Sequence, residues 1–386
     1  MTYLSVLFAI CSFAVIIDMG MTKPGIPVSS KDQQKFNILV VAVLIYFAGF
    51  RNMGGTDFNV YYRIFSASPY FSEFFDKYDT LQDNYYLYGA DQGYIFINSV
   101  VKSMGFTYFG YNFIHSLFCI GMMYFCTRKY TNNYSIVIMI VLYKMFFYDF
   151  CISLRQTITI ALFFCMLTDI ENKRPIRYFA LCVLCYWIHA AAIILFVVYF
   201  IGYVKLSRKK IVLLNVVFIP TILLSIFNVP VLKMFNSILG WDIFATEQIA
   251  DKASNLITGI GDNGINWIHT IEYFGIMLLL IIFHDEIVKE FPNSEIMIKL
   301  FICLLPIFTL FRNYEILTRW KDYFTISYGF ILSYIASIRN REQRIPVIIF
   351  LILWSGFGFF RFMYLFDDGA FLNYMPIRKY VRFFIR

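Results

Sequence analysis

Apolar residues run in long unbroken blocks along this chain, separated by short clusters of Lys, Arg, Asn and Pro. Twelve blocks read as helices: 3–17, 36–50, 108–127, 134–149, 153–169, 176–188, 190–204, 211–228, 268–283, 296–311, 323–338 and 345–364. The blocks are continuously apolar and do not alternate with period two, which excludes the strands of a barrel. They are of membrane length, so the expected fold class is an all-α polytopic membrane protein of about twelve transmembrane helices. The whole of 1–386 reads as one transmembrane domain, with long loops at 51–92 and 229–267. A shorter apolar stretch, Gln92 to Met104, reads equally as a helix lying in or dipping into the interface or as part of a longer third span.

The polar breaks set the orientation. No Lys or Arg precedes the first block, so no signal peptide is expected, and the basic residues after it (Lys23, Lys31, Lys35) place the N-terminus outside. The inner loops are then 18–35, 128–133, 169–177, 205–210, 284–299 and 339–344, and they are denser in Lys and Arg than the outer loops. From Tyr178 to Val204 an apolar run is flanked on both sides by basic clusters. A hairpin of two short helices, re-entrant in the membrane, puts both clusters inside and His189 at the outer tip. The basic tail "NYMPIRKYVRFFIR" falls outside by this count, which fits either an interfacial helix on anionic headgroups or a topology that differs by one crossing.

Composition adds to the picture without changing it. Of 386 residues, 60% are hydrophobic, 20% aromatic and only 15% charged, against about 25% charged in soluble domains. The formal charge of +8 is explained by topology-setting loops and implies no nucleic acid. All eight cysteines lie in or beside apolar blocks, so no disulfide framework is expected, and Cys182 and Cys185 read as small core residues. There is no Walker loop, zinc spacing or Asp-x-Asp pair. Neither a cofactor nor metal dependence is indicated.

Candidate chemistry gathers at the outer ends of the blocks. Arg51, Asp57, Arg63, Asp149, Arg155, His189, Glu272, Arg312, Glu315, Arg319, Asp322 and Arg361 all sit there. If "RNYEILTRWKDYF" is helical, Arg312, Glu315, Arg319 and Asp322 share an arc of about 80° entering an apolar block. Arg155 opens another block with Gln156 and Thr159 beside it. Guanidinium groups suit phosphate oxygens, which they bind as a bidentate fork. A carboxylate such as Asp57 or Glu315 suits a general base for an incoming hydroxyl.

These residues carry a resemblance. "FRNMGGTDFNVYYRIF" resembles the Arg…Gly-Thr-Asp-x-x-x-Tyr signature of the EpsG family of Wzy-type polysaccharide polymerases, through Arg51, Gly55, Thr56, Asp57 and Tyr61. "DQGYIFINSVVKSMG" resembles its acidic-x-Gly-Tyr segment through Asp91 and Gly93, and "SLRQTITIALFF" its Arg-Gln helix through Arg155 and Gln156. "CYWIHAAAIILFVVYF" is similar to its His hairpin through His189, although Ala191 stands where the family often has Ser. Arg319 to Tyr323 fits a later Arg-containing entry to a span.

The resemblance implies a GT-C-like glycosyltransferase of the bacterial inner membrane. It would join undecaprenyl-pyrophosphate-linked repeat units at the outer face and release undecaprenyl pyrophosphate. Donor and acceptor lipid-linked glycans, membrane lipids and a chain-length regulator are the implied partners. Arg51, Arg155, Arg312 and Arg319 would stabilise the leaving pyrophosphate, and Asp57 or Glu315 would take the acceptor proton, with His189 orienting that base or substituting for it. Arg63, Tyr61, Gln156 and Tyr323 are the further substrate-binding candidates. Two other readings stay open from the residues alone: a membrane-bound O-acyltransferase using His189, and a lipid-linked oligosaccharide flippase with Lys144 as its mid-span charge.

Overall fold

The structure is a computed structural model that describes residues 2–23, 25–51, 57–226, 267–310 and 318–374. Among the described residues it is all-α, with 15 helices of seven residues or more. Over its described residues, every predicted block is helical. In chain order the main helices are α1 (Tyr3–Met21), α2 (Lys31–Gly49), α3 (Asp57–Ala67), α4 (Gln92–Ser103), α5 (Tyr108–Thr127) and α6 (Tyr134–Lys144). After a π turn (Phe146–Ile152) come α7 (Leu154–Glu171), α8 (Pro175–Ile188) and α9 (Ala190–Tyr203). The rest are α10 (Arg208–Ile226), α11 (Trp267–Glu290), α12 (Glu295–Leu310), α13 (Trp320–Thr325), α14 (Ser327–Ser337) and α15 (Arg341–Leu365). The predicted loop at 229–267 lies outside the described residues apart from Trp267.

Three helices, Tyr3–Met21, Tyr108–Tyr130 and Glu342–Leu365, are long and apolar enough to cross a membrane alone. A fourth crossing is made if α6 and the π turn, bent by 72°, form one broken span. The chain is a multi-pass membrane protein. Its lipid-type exterior shows in exposed Phe13, Leu353 and Leu365.

All six predicted inner loops meet at one end of the bundle. Gly25 N donates to Glu290 Oε1 at 3.2 Å, and Asn132 Nδ2 to the Ile26 carbonyl at 2.6 Å. Lys129 pairs with Glu171 at 2.9 Å, Arg339 with Glu286 at 3.5 Å, and Leu206 N reaches Glu295 Oε1 at 3.3 Å. Buried Asp18 accepts from Gln33 Nε2 and from Ser135 N at the start of α6, both at 3.0 Å. Arg344 bonds the Thr22 and Ser337 carbonyls at 3.0 and 2.9 Å, closing the ends of α1 and α14. These bonds satisfy helix-terminal groups that would otherwise be buried unpaired.

The hairpin is present as predicted. Tyr178 OH donates to the Leu195 carbonyl at 2.8 Å, and the Phe179 and Phe196 rings stack at 6.1 Å, so α8 and α9 run antiparallel. Lys173 lies over the Tyr203 ring at 5.0 Å, which brings both basic ends together and leaves His189 at the opposite tip. The short helix α4 packs against α8 and α3. Its Lys102 donates to the carbonyls of Ser66 and Ser68 and so caps the end of α3.

Candidate functional site

At the end opposite the inner loops, α4, α7 and the α8–α9 tip converge. Asp91 is the N-cap residue of α4, and its carbonyl accepts from Tyr94 N and Ile95 N at 3.0 and 3.1 Å. Its carboxylate Oδ2 receives Arg155 Nη1 at 2.9 Å and His189 Nδ1 at 3.2 Å. Asp91 and Arg155 are partly open, at 20% and 22% side-chain exposure, while His189 is buried. His189 has extended backbone between two helices (φ −157°, ψ 119°), which turns its ring off the hairpin axis. The carboxylate holds the Nδ1 proton, so the lone pair is on Nε2. That Nε2 is buried and has no hydrogen-bond partner among the described residues. Arg155 also lies over Tyr61 at 6.0 Å, and Tyr61 meets Tyr94 edge to face at 5.6 Å.

The next residue along α7 extends the site inward. Gln156 Nε2 donates to the Arg319 carbonyl at 2.7 Å and to Asp322 Oδ2 at 3.0 Å. Arg319 lies within electrostatic reach of both His189 and Asp322. Asp149, in the π turn, lies within electrostatic reach of Asp322, and both side chains are buried. Thr157 Oγ1 donates to the Asp149 carbonyl, fixing the π turn on α7.

The predicted residues therefore divide. Arg155, His189, Arg319, Gln156 and Tyr61 come together. Arg51 does not join them: it is fully buried, and its hydrogen bonds go to the carbonyls of Ala48, Phe150 and Cys151 and to Asn112 Oδ1. The carbonyls at the end of the π turn lack helical partners, and a planar guanidinium serves several acceptors at once. Asp57 opens α3 half-buried, with no hydrogen bond or ion pair among the described residues. Arg63 is exposed and lies over Tyr86 at 5.7 Å. Tyr323 is buried, sharing a hydrogen bond of 2.7 Å with Thr159 Oγ1, so it is a core residue. Arg312 and Glu315 lie outside the described residues.

Asp91 is the residue that pattern reasoning passed over as a site member, although its acidic-x-Gly-Tyr context was visible. Lys144, read as a mid-span charge, is buried and paired with Glu272 at 2.7 Å. Glu272 also accepts from Tyr143 OH at 2.6 Å, Trp354 Nε1 at 2.8 Å and His269 Nδ1 at 3.1 Å. Its two oxygens are saturated, and the cluster ties α6, α11 and α15 together. Among the described residues no group of three His, Cys, Asp or Glu is arranged to hold a metal ion.

An arginine, a histidine and a shared carboxylate thus lie where the Arg-Gln helix, the acidic-x-Gly-Tyr segment and the His hairpin meet. The EpsG family model matches residues 35–375, a span containing all three. The chain belongs to the EpsG family. Membership links it to exopolysaccharide biosynthesis. No curated protein and no solved structure matches the chain.

Proposed function

We propose that this EpsG-family chain is a polysaccharide polymerase of the bacterial cytoplasmic membrane. It is a GT-C-like glycosyltransferase of about twelve membrane helices, counting the α8–α9 hairpin as re-entrant, with its site facing outward. It joins undecaprenyl-pyrophosphate-linked repeat units and releases undecaprenyl pyrophosphate. The observation that carries the reading is Asp91 held between Arg155 and His189, 2.9 and 3.2 Å away.

Each residue has work that this geometry suits. Arg155 and Arg319 supply fixed positive charge for the departing pyrophosphate, where negative charge grows in the transition state. Asp91 holds the His189 tautomer in which Nε2 is free to accept a proton. His189 Nε2 takes the proton of the acceptor hydroxyl as its oxygen bonds to the anomeric carbon. The bond from that carbon to the phosphate oxygen breaks, and its electron pair leaves with the pyrophosphate. Of the bases that the sequence leaves open, Asp57, Glu315 and His189, this reading takes His189, with Asp91 beside it. A chain-length regulator is the protein partner expected of such a polymerase.

The test is deletion of the gene in its host, with envelope glycans resolved on a gel and complementation by wild type and His189→Ala. Single-repeat glycans in the deletion, extended by wild type and not by the variant, support the proposal. Complete loss of the glycan points to a flippase, and full-length glycan lacking only acyl groups points to an acyltransferase; either result overturns it.

A further inference from the structure

The segment joining α3 to α4 ends in a turn with three closely spaced tyrosines, Tyr85, Tyr86 and Tyr88, and Asp91 follows three residues after the last. The turn holding them is firmly built. Leu87 is buried and pins it to the core. Leu87 N and Tyr88 N both donate to the Asn84 carbonyl at 2.9 Å, and Tyr86 N donates to Asn84 Oδ1 at 3.0 Å. Gln82 braces the other side: its Oε1 accepts from Gly89 N at 2.9 Å, and its Nε2 donates to the Ala90 carbonyl at 3.1 Å. Gly89 takes a φ of +73°, a region open to glycine, which lets the chain reverse towards Asp91. Tyr86 is half covered by Arg63 at 5.7 Å and by the edge of Tyr85 at 5.3 Å.

Two rings are left presented outward. Tyr85 is 85% exposed and Tyr88 is 80% exposed. Scattered exposed apolar residues need no explanation, but two exposed rings three residues apart on a braced turn beside a candidate site point to a binding surface. Tyrosine suits this use because it offers a flat apolar face and a hydroxyl at low conformational cost. The apolar C–H faces of pyranose rings pack on such faces, and sugar hydroxyls meet the phenol. The three residues from Tyr88 to Asp91 span at most about 11 Å, so a saccharide lying on the rings reaches the Asp91–His189 pair.

We propose that Tyr85 and Tyr88 form a saccharide platform that holds the acceptor glycan beside His189. The assignment of the bound saccharide as the acceptor rests on the polymerase reading; the platform itself rests on the turn. The other occupant of exposed tyrosines is the lipid headgroup boundary, where they would act as anchors.

The experiment uses the full chain purified in detergent, with Tyr85→Ala/Tyr88→Ala, Tyr85→Leu/Tyr88→Leu and Tyr85→Phe/Tyr88→Phe variants. The probe is the repeat-unit oligosaccharide released by mild acid from the host's own lipid-linked precursor. Binding is read by saturation-transfer NMR, and polymerisation by acceptor KM and kcat. Both rings are exposed, so the variants should keep the wild-type melting temperature. The expected result is lost saturation transfer for the Ala and Leu pairs and retained transfer for the Phe pair. Acceptor KM should rise about tenfold or more in the Ala and Leu pairs, with kcat within about twofold of wild type. Wild-type binding by the Leu pair means anchoring and overturns the platform, as does absence of transfer to wild type. If wild type binds the oligosaccharide and makes no polymer, the platform stands and the polymerase reading falls. If wild type polymerises and the Ala pair has an unchanged KM, the platform falls and the polymerase reading stands.

Discussion

Gly93 is the position where one methyl group should tell most about the site. It is two residues after Asp91, near the start of α4, and faces the end of α8 two residues before His189. A Cβ there would lie 2.7 Å from the Trp187 carbonyl oxygen and 2.8 Å from its carbonyl carbon, against an ordinary contact from 3.4 Å. The obstacle is backbone, so no rotamer change relieves it. In Gly93→Ala, α4 and α8 must part by about 0.7 Å, and overpacking of this kind costs about 1–3 kcal/mol. Asp91 and His189 ride on the two surfaces that separate. Their 3.2 Å contact opens towards about 3.9 Å, beyond hydrogen-bond range. Arg155 has a flexible side chain and can follow Asp91, so phosphate binding should survive. The expected outcome is a fall in kcat of about ten- to a hundredfold, within what a positioned acid–base group supplies, with donor KM within about threefold. Trp187→Leu in the same chain removes only the ring contact and should not rescue. The control is Gly121→Ala, where a Cβ meets nothing within 4 Å; it should be neutral or stabilise by about 1 kcal/mol. Wild-type kcat in Gly93→Ala, with the variant folded, would refute the idea that this close approach sets the Asp91–His189 geometry.

Other expectations follow from the same contacts. Asp91→Asn should abolish chain extension in the complementation assay, while Asp57→Asn should retain most of it; the reverse order would return the carboxylate role to Asp57. Arg51→Lys keeps the charge but cannot reach all its present acceptors, so it should lower stability by about 2–4 kcal/mol in a thermal melt. Glu272→Gln and Lys144→Met should each cost about 3–5 kcal/mol by stranding the buried partner, and the double variant should cost less than either single one. Tyr323→Phe removes one buried hydrogen bond, worth about 1 kcal/mol, and should leave the glycan ladder unchanged.

How much of this was legible in the sequence depends on the range of the interaction. Over their described residues all twelve apolar blocks are helical, and the hairpin tip at His189 follows from basic clusters on both sides of one apolar run. Lipid imposes this: backbone groups must be satisfied within each segment, so a continuous apolar run folds as a helix whatever its neighbours. The shared end of the six inner loops follows from the alternation of crossings. Charge type at the outer ends was also readable, since such residues persist near a membrane only with a reason.

Which charge meets which was settled only by packing. Arg51 and Arg155 have the same chemistry and both lie at outer ends of apolar blocks. Arg51 faces inward, onto carbonyls freed by a π turn that no local pattern announces, while Arg155 faces Asp91 across 64 positions of chain. Tyr323 and Tyr85 likewise look alike in sequence, yet one is buried against Thr159 and the other is open. Apolar periodicity and loop charge determined the helices and their alternation because those depend on segment and solvent alone. The membership of the site depended on the 72° bend after α6 and on the missing Cβ that lets α4 close on α8. The first is a local break that the apolar pattern does not mark, the second a contact between segments distant in the chain, and only the folded bundle brings their consequences together at one site.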